Sequence, residues 1–175
     1  GIVAVGVLNG SVIFQADLVR RLTVPVEIDF LAISTFAPDS GRVRLLKDLS
    51  IEIDGRDVVL VEDIIDTGLS LVFLRQVLEQ RGARSVAVCS LLDRPSRRIV
   101  PVGIDFVGVE VPDAFVIGYG LGGTSWYRNL AVVALADADL LQREPGAYLP
   151  QFHPALGAIT AITAPSAVTD DTGNR

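Results

Sequence analysis

No methionine occurs in the 175-residue chain, and cysteine, histidine and tryptophan occur once each, as Cys89, His153 and Trp126. A single cysteine excludes an intrachain disulfide and any zinc cluster built on several thiolates, and it fits a reducing compartment. A single histidine, in a stretch rich in proline and alanine, leaves Ser-His-Asp or Cys-His catalysis and multi-histidine metal sites without their parts. Because the chain opens Gly1-Ile2-Val3 instead of with methionine, its length is read as a lower bound. Every apolar run is broken well before the 18 or so residues a bilayer requires and no leader pattern is visible, so a cytoplasmic protein with no membrane partner is expected. Cations are also scarce, with 15 Lys and Arg against 21 Asp and Glu, a net charge of −6 and a pI near 4.7. That balance argues against nucleic acid as a partner. An anionic ligand must then be held by local cations or by backbone amides.

What the chain does have is apolar residues, 50% of the total, with a mean hydropathy of +0.46. That is enough for one domain burying about two thirds of its unfolded surface. Short apolar runs alternate with amphipathic stretches, the pattern of an α/β domain whose mostly parallel sheet is flanked by helices. Residues 2–8 read as a buried strand. A turn at Asn9-Gly10-Ser11 leads to a helix over 12–22 with Ile13, Phe14, Ala16, Leu18 and Val19 on its apolar face. Residues 26–36 alternate as a second strand, Pro38-Asp39-Ser40-Gly41 is a turn, and 43–46 is its returning arm. Residues 58–61 are the most strand-like, 69–81 are a helix closed by Gly82, and 86–92, 104–111 and 115–119 are later strands, followed by a last apolar run over 131–136. The boundary is placed between a domain over 1–144 and a low-complexity flexible tail over 145–175, where Pro, Ala, Thr and Gly dominate.

The informative stretch is 58–71, VVLVEDIIDTGLSL. A buried strand delivers Glu62 and Asp63 to its carboxyl end, and Asp66-Thr67-Gly68-Leu69-Ser70 turns the chain into the next helix. Ligands of open α/β sheets bind at that edge. Thr67, Gly68 and Ser70 are small or hydroxylated, so amides, hydroxyls and the helix N-terminus together make a phosphate cradle without lysine. Two adjacent carboxylates beside such a cradle suit sugar hydroxyls or a hard cation accompanying the phosphates. The ligand implied is a phosphorylated sugar with a metal. The bland alternative is a solvated strand end with Asp66 or Thr67 as a helix cap.

These residues resemble the phosphoribosyl pyrophosphate (PRPP) signature of type I phosphoribosyltransferases, and the Glu-Asp-Ile-Ile-Asp-Thr-Gly form is similar to the hypoxanthine-guanine branch. The resemblance runs over about residues 3–130, through VGVLNGS, PVEIDFLAIS, VRLLKDL, SLLDRPSRR and PDAFVIGYGL…YRNL. It implies transfer of the 5-phosphoribosyl group from PRPP to a 6-oxopurine, hypoxanthine or guanine, giving IMP or GMP and pyrophosphate in purine salvage, with Mg²⁺. It also implies a mostly parallel sheet under a small hood that is incomplete here, and a homo-oligomer, dimer or tetramer. By the same resemblance Glu62 and Asp63 hold the ribose hydroxyls and, through them or water, Mg²⁺. Asp66, Thr67, Gly68, Leu69 and Ser70 wrap the 5′-phosphate, and Asp66 accepts a proton near purine N7. Leu8, Asn9, Gly10 and Arg128 meet pyrophosphate, where the family can use a non-proline cis peptide. Arg94, Phe115 and Val116 meet the purine, and Ser34 and Thr35 begin the closing lid.

Four positions depart from the family pattern. Asn9 and Arg94 each stand where lysine is usual, Gly122 stands where an acid helps a second Mg²⁺, and the lid over 34–41 is short, with Phe36 for tyrosine. Arg can donate to a 6-oxo group, but its planar fork differs from an ammonium. Three other functions therefore stay open at this level: a PRPP- or nucleotide-binding regulator, a weakened paralogue, and transfer to another base.

Overall fold

The computed structural model of the chain describes residues 1–34, 43–123 and 125–152. They fall into two units, Gly1–Ala138 and the described part of Asp139–Arg175. In the first, β1 (Ile2–Val7), β2 (Val26–Ile33), β3 (Leu45–Lys47), β4 (Asp57–Ile65), β5 (Ser85–Asp93) and β6 (Phe106–Glu110) make one sheet in the order β3-β2-β1-β4-β5-β6. All neighbours are parallel except β2 and β3, the hairpin arm expected from the turn signal. β4 lies between β1 and β5, with Val5 opposite Leu60 and Leu60 opposite Val88. All three side chains are fully buried, which is why these strands read as apolar runs and not as alternating ones.

Two helices connect the parallel strands, α1 (Val12–Val19) and α2 (Leu69–Gln80). On α2, Leu71, Leu74 and Leu78 recur at spacings of three and four and are buried against Val58, Leu60 and Val88. Each such leucine stabilises the fold by roughly 2 kcal/mol. Packing of this stripe fixes where α2 starts, and therefore where the turn before it lies.

The structure corrects several expected boundaries. α1 ends at Val19 instead of residue 22, because Arg21 and Leu22 donate to Leu18 and Val19 in tight i to i−3 bonds. Its buried position is Gln15, whose amide donates to the Ala4 carbonyl at 3.0 Å, while Ile13 and Ala16 of the expected apolar face are exposed. The strand expected over 115–119 stops as β7 (Phe115–Ile117), since Gly118, Tyr119 and Gly120 all adopt positive φ. β7 pairs antiparallel with β8 (Ala134–Ala136) in a separate two-stranded sheet. Periodicity is expected to stop at residue 145 and no element is expected between the apolar run at 131–136 and that point, yet α3 (Ala138–Arg143) and α4 (Leu149–Phe152) form one or two turns each, too short to leave a periodic signal. Asp139 in the first turn of α3 and Arg143 in its last complement the helix dipole. The rest of the expected tail, from 153 on, lies outside the described residues. Among those described, no helix is long and apolar enough to cross a membrane.

Candidate active site

β4 carries Glu62 and Asp63 to the carboxyl edge of the sheet, and residues 66–68 lead from it into α2. Gly68 precedes the helix at φ 85°, the Thr67 hydroxyl accepts the Leu69 N–H at 3.3 Å, and the Gly68 carbonyl accepts the first helical bond from Val72 at 3.0 Å. Behind the turn, Ile99 and Val100 both donate to the Thr67 carbonyl, at 3.0 and 3.2 Å, so a later segment fixes its path. Glu62, Asp66, Thr67, Gly68 and Ser70 line a cleft of about 350 Å³. Leu69 is the first residue of the helix itself.

A second cleft, of about 200 Å³, adjoins the first through Ile64 and Asp66. Its walls include Asp63, Arg94, Phe115, Val116, Leu121 and Gly123. Arg94 is buried here, with Nη2 donating to the Ala114 carbonyl at 2.5 Å and Nη1 to Asp66 Oδ2 at 3.1 Å. Nη1 is nearer still to Oδ1, at 2.9 Å, but off the N–H axis, so Oδ1 has no directed hydrogen bond. The ring of Phe115 packs against Gly123, where an added Cβ would lie 2.9 Å from it.

The turn after β1 closes the third side. The Leu8–Asn9 peptide is cis, the Leu8 N–H donates to the Leu31 carbonyl at 2.9 Å, and the Ser11 hydroxyl donates to the Val7 carbonyl at 2.7 Å. Gly10 is required by contact, because a Cβ there would fall 1.6 Å from Asp63 Oδ2. Gly120, at φ 96°, lies against Gly10 in turn, with room for no Cβ before the Gly10 carbonyl at 2.1 Å. Arg128 donates to the carbonyls of Gly120 and Gly122, at 2.6 and 2.8 Å, and so holds that loop. Strand β4, the β1 turn and the 118–123 loop thus meet at Asp63.

Burial pushes the Glu62 carboxyl well above its ordinary range, and the neighbouring Asp63 charge pushes the same way. Burial raises Asp63 as well, against the Ile64 N–H and the positive charge of Arg128. Such a pair is suited to something that rewards its charge, hydroxyl donors or a hard cation. Among the described residues no group of three or more His, Cys, Asp or Glu is placed to hold a metal by protein ligands alone. The donor set therefore fits a cation that keeps water or ligand oxygens in most of its coordination positions.

Of the expected site residues, Glu62, Asp63, Asp66, Thr67, Gly68, Ser70, Arg94, Phe115 and Val116 line one cleft or both, and Gly10 and Arg128 abut them through Asp63 and the 120–122 loop. Leu8 and Asn9 belong to the adjoining turn. Ser34 lines neither cleft. Its N–H donates to Arg44 and its hydroxyl accepts from the Arg44 N–H, closing the base of the loop. Thr35 and the rest of the expected lid, through Gly41, lie outside the described residues. Sequence reasoning missed Arg97, which pairs with Asp113 beside the smaller cleft. It also missed Gly120, for which the spacing Gly118, Gly120, Gly122, Gly123 was the available signal.

A mostly parallel sheet whose carboxyl edge carries Glu62, Asp63 and the 66–68 turn into α2 belongs to the class of α/β proteins that bind phosphorylated ligands at that edge. The phosphoribosyl transferase domain family matches residues 2–122, and the chain belongs to that family. It is 44% identical over 135 residues to the hypoxanthine-guanine phosphoribosyltransferase of Bacillus subtilis, spanning 75% of each chain. It is 47% identical over 134 residues to the hypoxanthine phosphoribosyltransferase of Salmonella typhimurium, again 75% of each. Among solved structures, a hypoxanthine-guanine phosphoribosyltransferase from Bacillus anthracis with HEPES in its active site superposes at a TM-score of 0.73 and 42% identity, covering 77% of this chain and 79% of that one. A mutant hypoxanthine phosphoribosyltransferase from Trypanosoma cruzi, in complex with the product IMP, superposes at 0.76 and 38% identity, covering 83% and 77%.

Proposed function

We propose that this chain transfers the 5-phosphoribosyl group of PRPP to a 6-oxopurine, hypoxanthine or guanine, releasing pyrophosphate and supplying IMP or GMP by purine salvage. The observation that carries it is the junction at Asp66, where a cleft ending in a phosphate turn adjoins one walled by Arg94 and Phe115. In this reading Thr67, Gly68, Leu69 and Ser70 hold the 5′-phosphate with amides and hydroxyls, and Glu62 and Asp63 take the ribose hydroxyls. Mg²⁺, held by Glu62 and Asp63 through ribose oxygens or water, would neutralise charge on the pyrophosphate as it leaves. Leu8, Asn9 and Gly10 offer pyrophosphate the β1 turn, with Arg128 as the nearby cation. The purine lies against Phe115, with Val116 at its edge and Arg94 donating toward its oxo group. Purine N9 bonds to C1′ as the C1′–O bond breaks, the pyrophosphate oxygen keeping the electron pair, and the N7 proton passes to Asp66. Carboxylates on the ribose side stabilise the positive sugar that develops between these events.

Residues 1–144 would carry this reaction, in a cytoplasmic homo-oligomer. The test is nucleotide formation by the full chain with PRPP, Mg²⁺ and each of hypoxanthine, guanine, xanthine, adenine and uracil. Product with hypoxanthine or guanine is expected. No product with any base, with PRPP binding retained by calorimetry, would instead establish a PRPP-binding regulator or a weakened paralogue. That second reading is favoured by Asn9 and Gly122, which bring neither a cation nor a carboxylate to the pyrophosphate side. Product with xanthine or uracil alone would mean transfer to another base.

A further inference from the structure

Asp66 is not oriented by its own loop. A residue 28 positions later does this, Arg94, whose Nη1 makes a directed hydrogen bond to Asp66 Oδ2 at 3.1 Å. Oδ1, only 2.9 Å from the same nitrogen but off its N–H axis, is buried and accepts no directed bond. The guanidinium is fixed at two points, Asp66 and Ala114, and the backbone of the same residue at a third. Its Nη2 donates to the carbonyl of Ala114, the residue before Phe115, at 2.5 Å. The Arg94 backbone N–H donates to the Ile65 carbonyl, the residue before Asp66, at 3.0 Å. The side chain itself is buried. One rigid planar group therefore ties the carboxylate to the strand that carries the aromatic wall. An ammonium on a flexible stem has no such fork and could not serve both acceptors with fixed geometry.

We propose that Arg94 is the positioning residue for Asp66, keeping Oδ1 enclosed beside its guanidinium and holding Oδ2 by one bond so that the free lone pair of Oδ2, the oxygen left to the cleft, takes the proton of a base lying against Phe115. This rests on the base-transfer reading above and adds to it a role exerted through Asp66, apart from any contact Arg94 makes with the base. The arrangement follows the general logic of proton acceptors, whose orientation is set by a third group. The two bonds to Asp66 and Ala114 do not use every N–H of the guanidinium, so positioning and recognition are separable functions of one side chain.

A double-mutant cycle separates them. The proteins are wild type, R94Q, D66N and R94Q/D66N, with R94K as a second replacement should R94Q not fold. Single-turnover nucleotide formation is read at saturating PRPP, Mg²⁺ and hypoxanthine, together with KM for hypoxanthine. PRPP affinity by calorimetry monitors the neighbouring ribose site and the fold. If Arg94 acts through Asp66, R94Q lowers the single-turnover rate about 100-fold with PRPP affinity within about threefold, and D66N lowers it by about 100-fold to 1,000-fold. The double variant is then no worse than D66N by more than about threefold, because nothing is left to position. R94K recovers less than about a tenth of the rate. Multiplicative losses in the double variant overturn the proposal, as does an R94Q protein with an unchanged rate and only a raised KM. A wild type that forms no product with any base removes the base-transfer reading and this proposal with it, whereas product with multiplicative losses removes the proposal alone.

Discussion

Asp29 and Glu62 are buried to the same degree, each 6% exposed, and respond in opposite ways. For Asp29, on β2, burial alone would push the carboxyl up, but its oxygens accept the N–H groups of Phe30, Ser50 and Ile51 at 2.7, 2.6 and 3.1 Å, and Lys47 Nζ lies 3.4 Å away. These donors outweigh burial and hold Asp29 below the ordinary carboxylate range. For Glu62, burial is joined by the charge of Asp63, and both push it up. The first carboxylate is satisfied by its own chain and pins the loop after β3. The second gains favourable partners only when a ligand brings hydroxyls or a cation, so its site is held ready at a cost to stability. Equal burial therefore marks opposite uses, and the difference lies in where the partners come from.

The sharpest way to break this contrast is to neutralise each member. Replacing Glu62 with Gln and Asp63 with Asn should weaken PRPP binding in the presence of Mg²⁺ by about 100-fold or more, since two charged contacts of about 1.5–3 kcal/mol each are lost. The same change removes the repulsion between the buried Glu62 and its half-buried neighbour Asp63, so the ligand-free melting temperature should hold or rise. Calorimetry and thermal melts read the two effects, and a melting temperature lowered by several degrees would show the pair to be structural after all. Asp29→Asn should do the reverse. It should cost about 2 kcal/mol and lower the melting temperature by roughly 4–8 °C, with PRPP affinity of the folded protein within about twofold. Because the folded value of Asp29 lies below its unfolded one, its contribution is fully present above the ordinary carboxylate range and is lost as pH falls through the folded value. Melts from neutral to acid pH should therefore be flatter for Asp29→Asn than for wild type. An unchanged acid limb would mean that the loop at 50–51 is held by something else.

How much of this was legible follows the same division. The ribose side is one contiguous segment, residues 58–71, so closeness in sequence is closeness in space, and its strand, turn and helix were readable from spacing. The β2–β3 hairpin was readable for the same reason. The base and pyrophosphate side is assembled from distant pieces. Arg94 was visible as a residue facing the purine, but its hold on Asp66 and Ala114 depends on where β5 ends and β7 begins, which no local pattern encodes. Gly10 could be read as a turn residue, whereas its real constraint is the Asp63 carboxylate lying against it. On α1 the apolar pattern misled, because Gln15 is buried by its bond to the Ala4 carbonyl while Ile13 is left exposed.

The contrast can finally be tested with a carboxylate that combines a strong shift with a position at the surface. Asp57, at the start of β4, is lowered to about 2 by side-chain hydrogen bonds from Arg84 and Ser85. That shift is large, yet the Asp57–Arg84 pair lies at the surface, where water and salt screen it and the two side chains must be ordered to make it. Asp57→Asn should therefore move the melting temperature by no more than about 1 °C at moderate salt, the smallest effect of the series. What little effect remains should vanish in 1 M NaCl, where the Debye length is about 3 Å. If Asp57→Asn instead proved as damaging as Asp29→Asn, the size of a shift would matter more than the burial of its partners. The distinction between a carboxylate satisfied by the chain and one awaiting a ligand would then need a different basis.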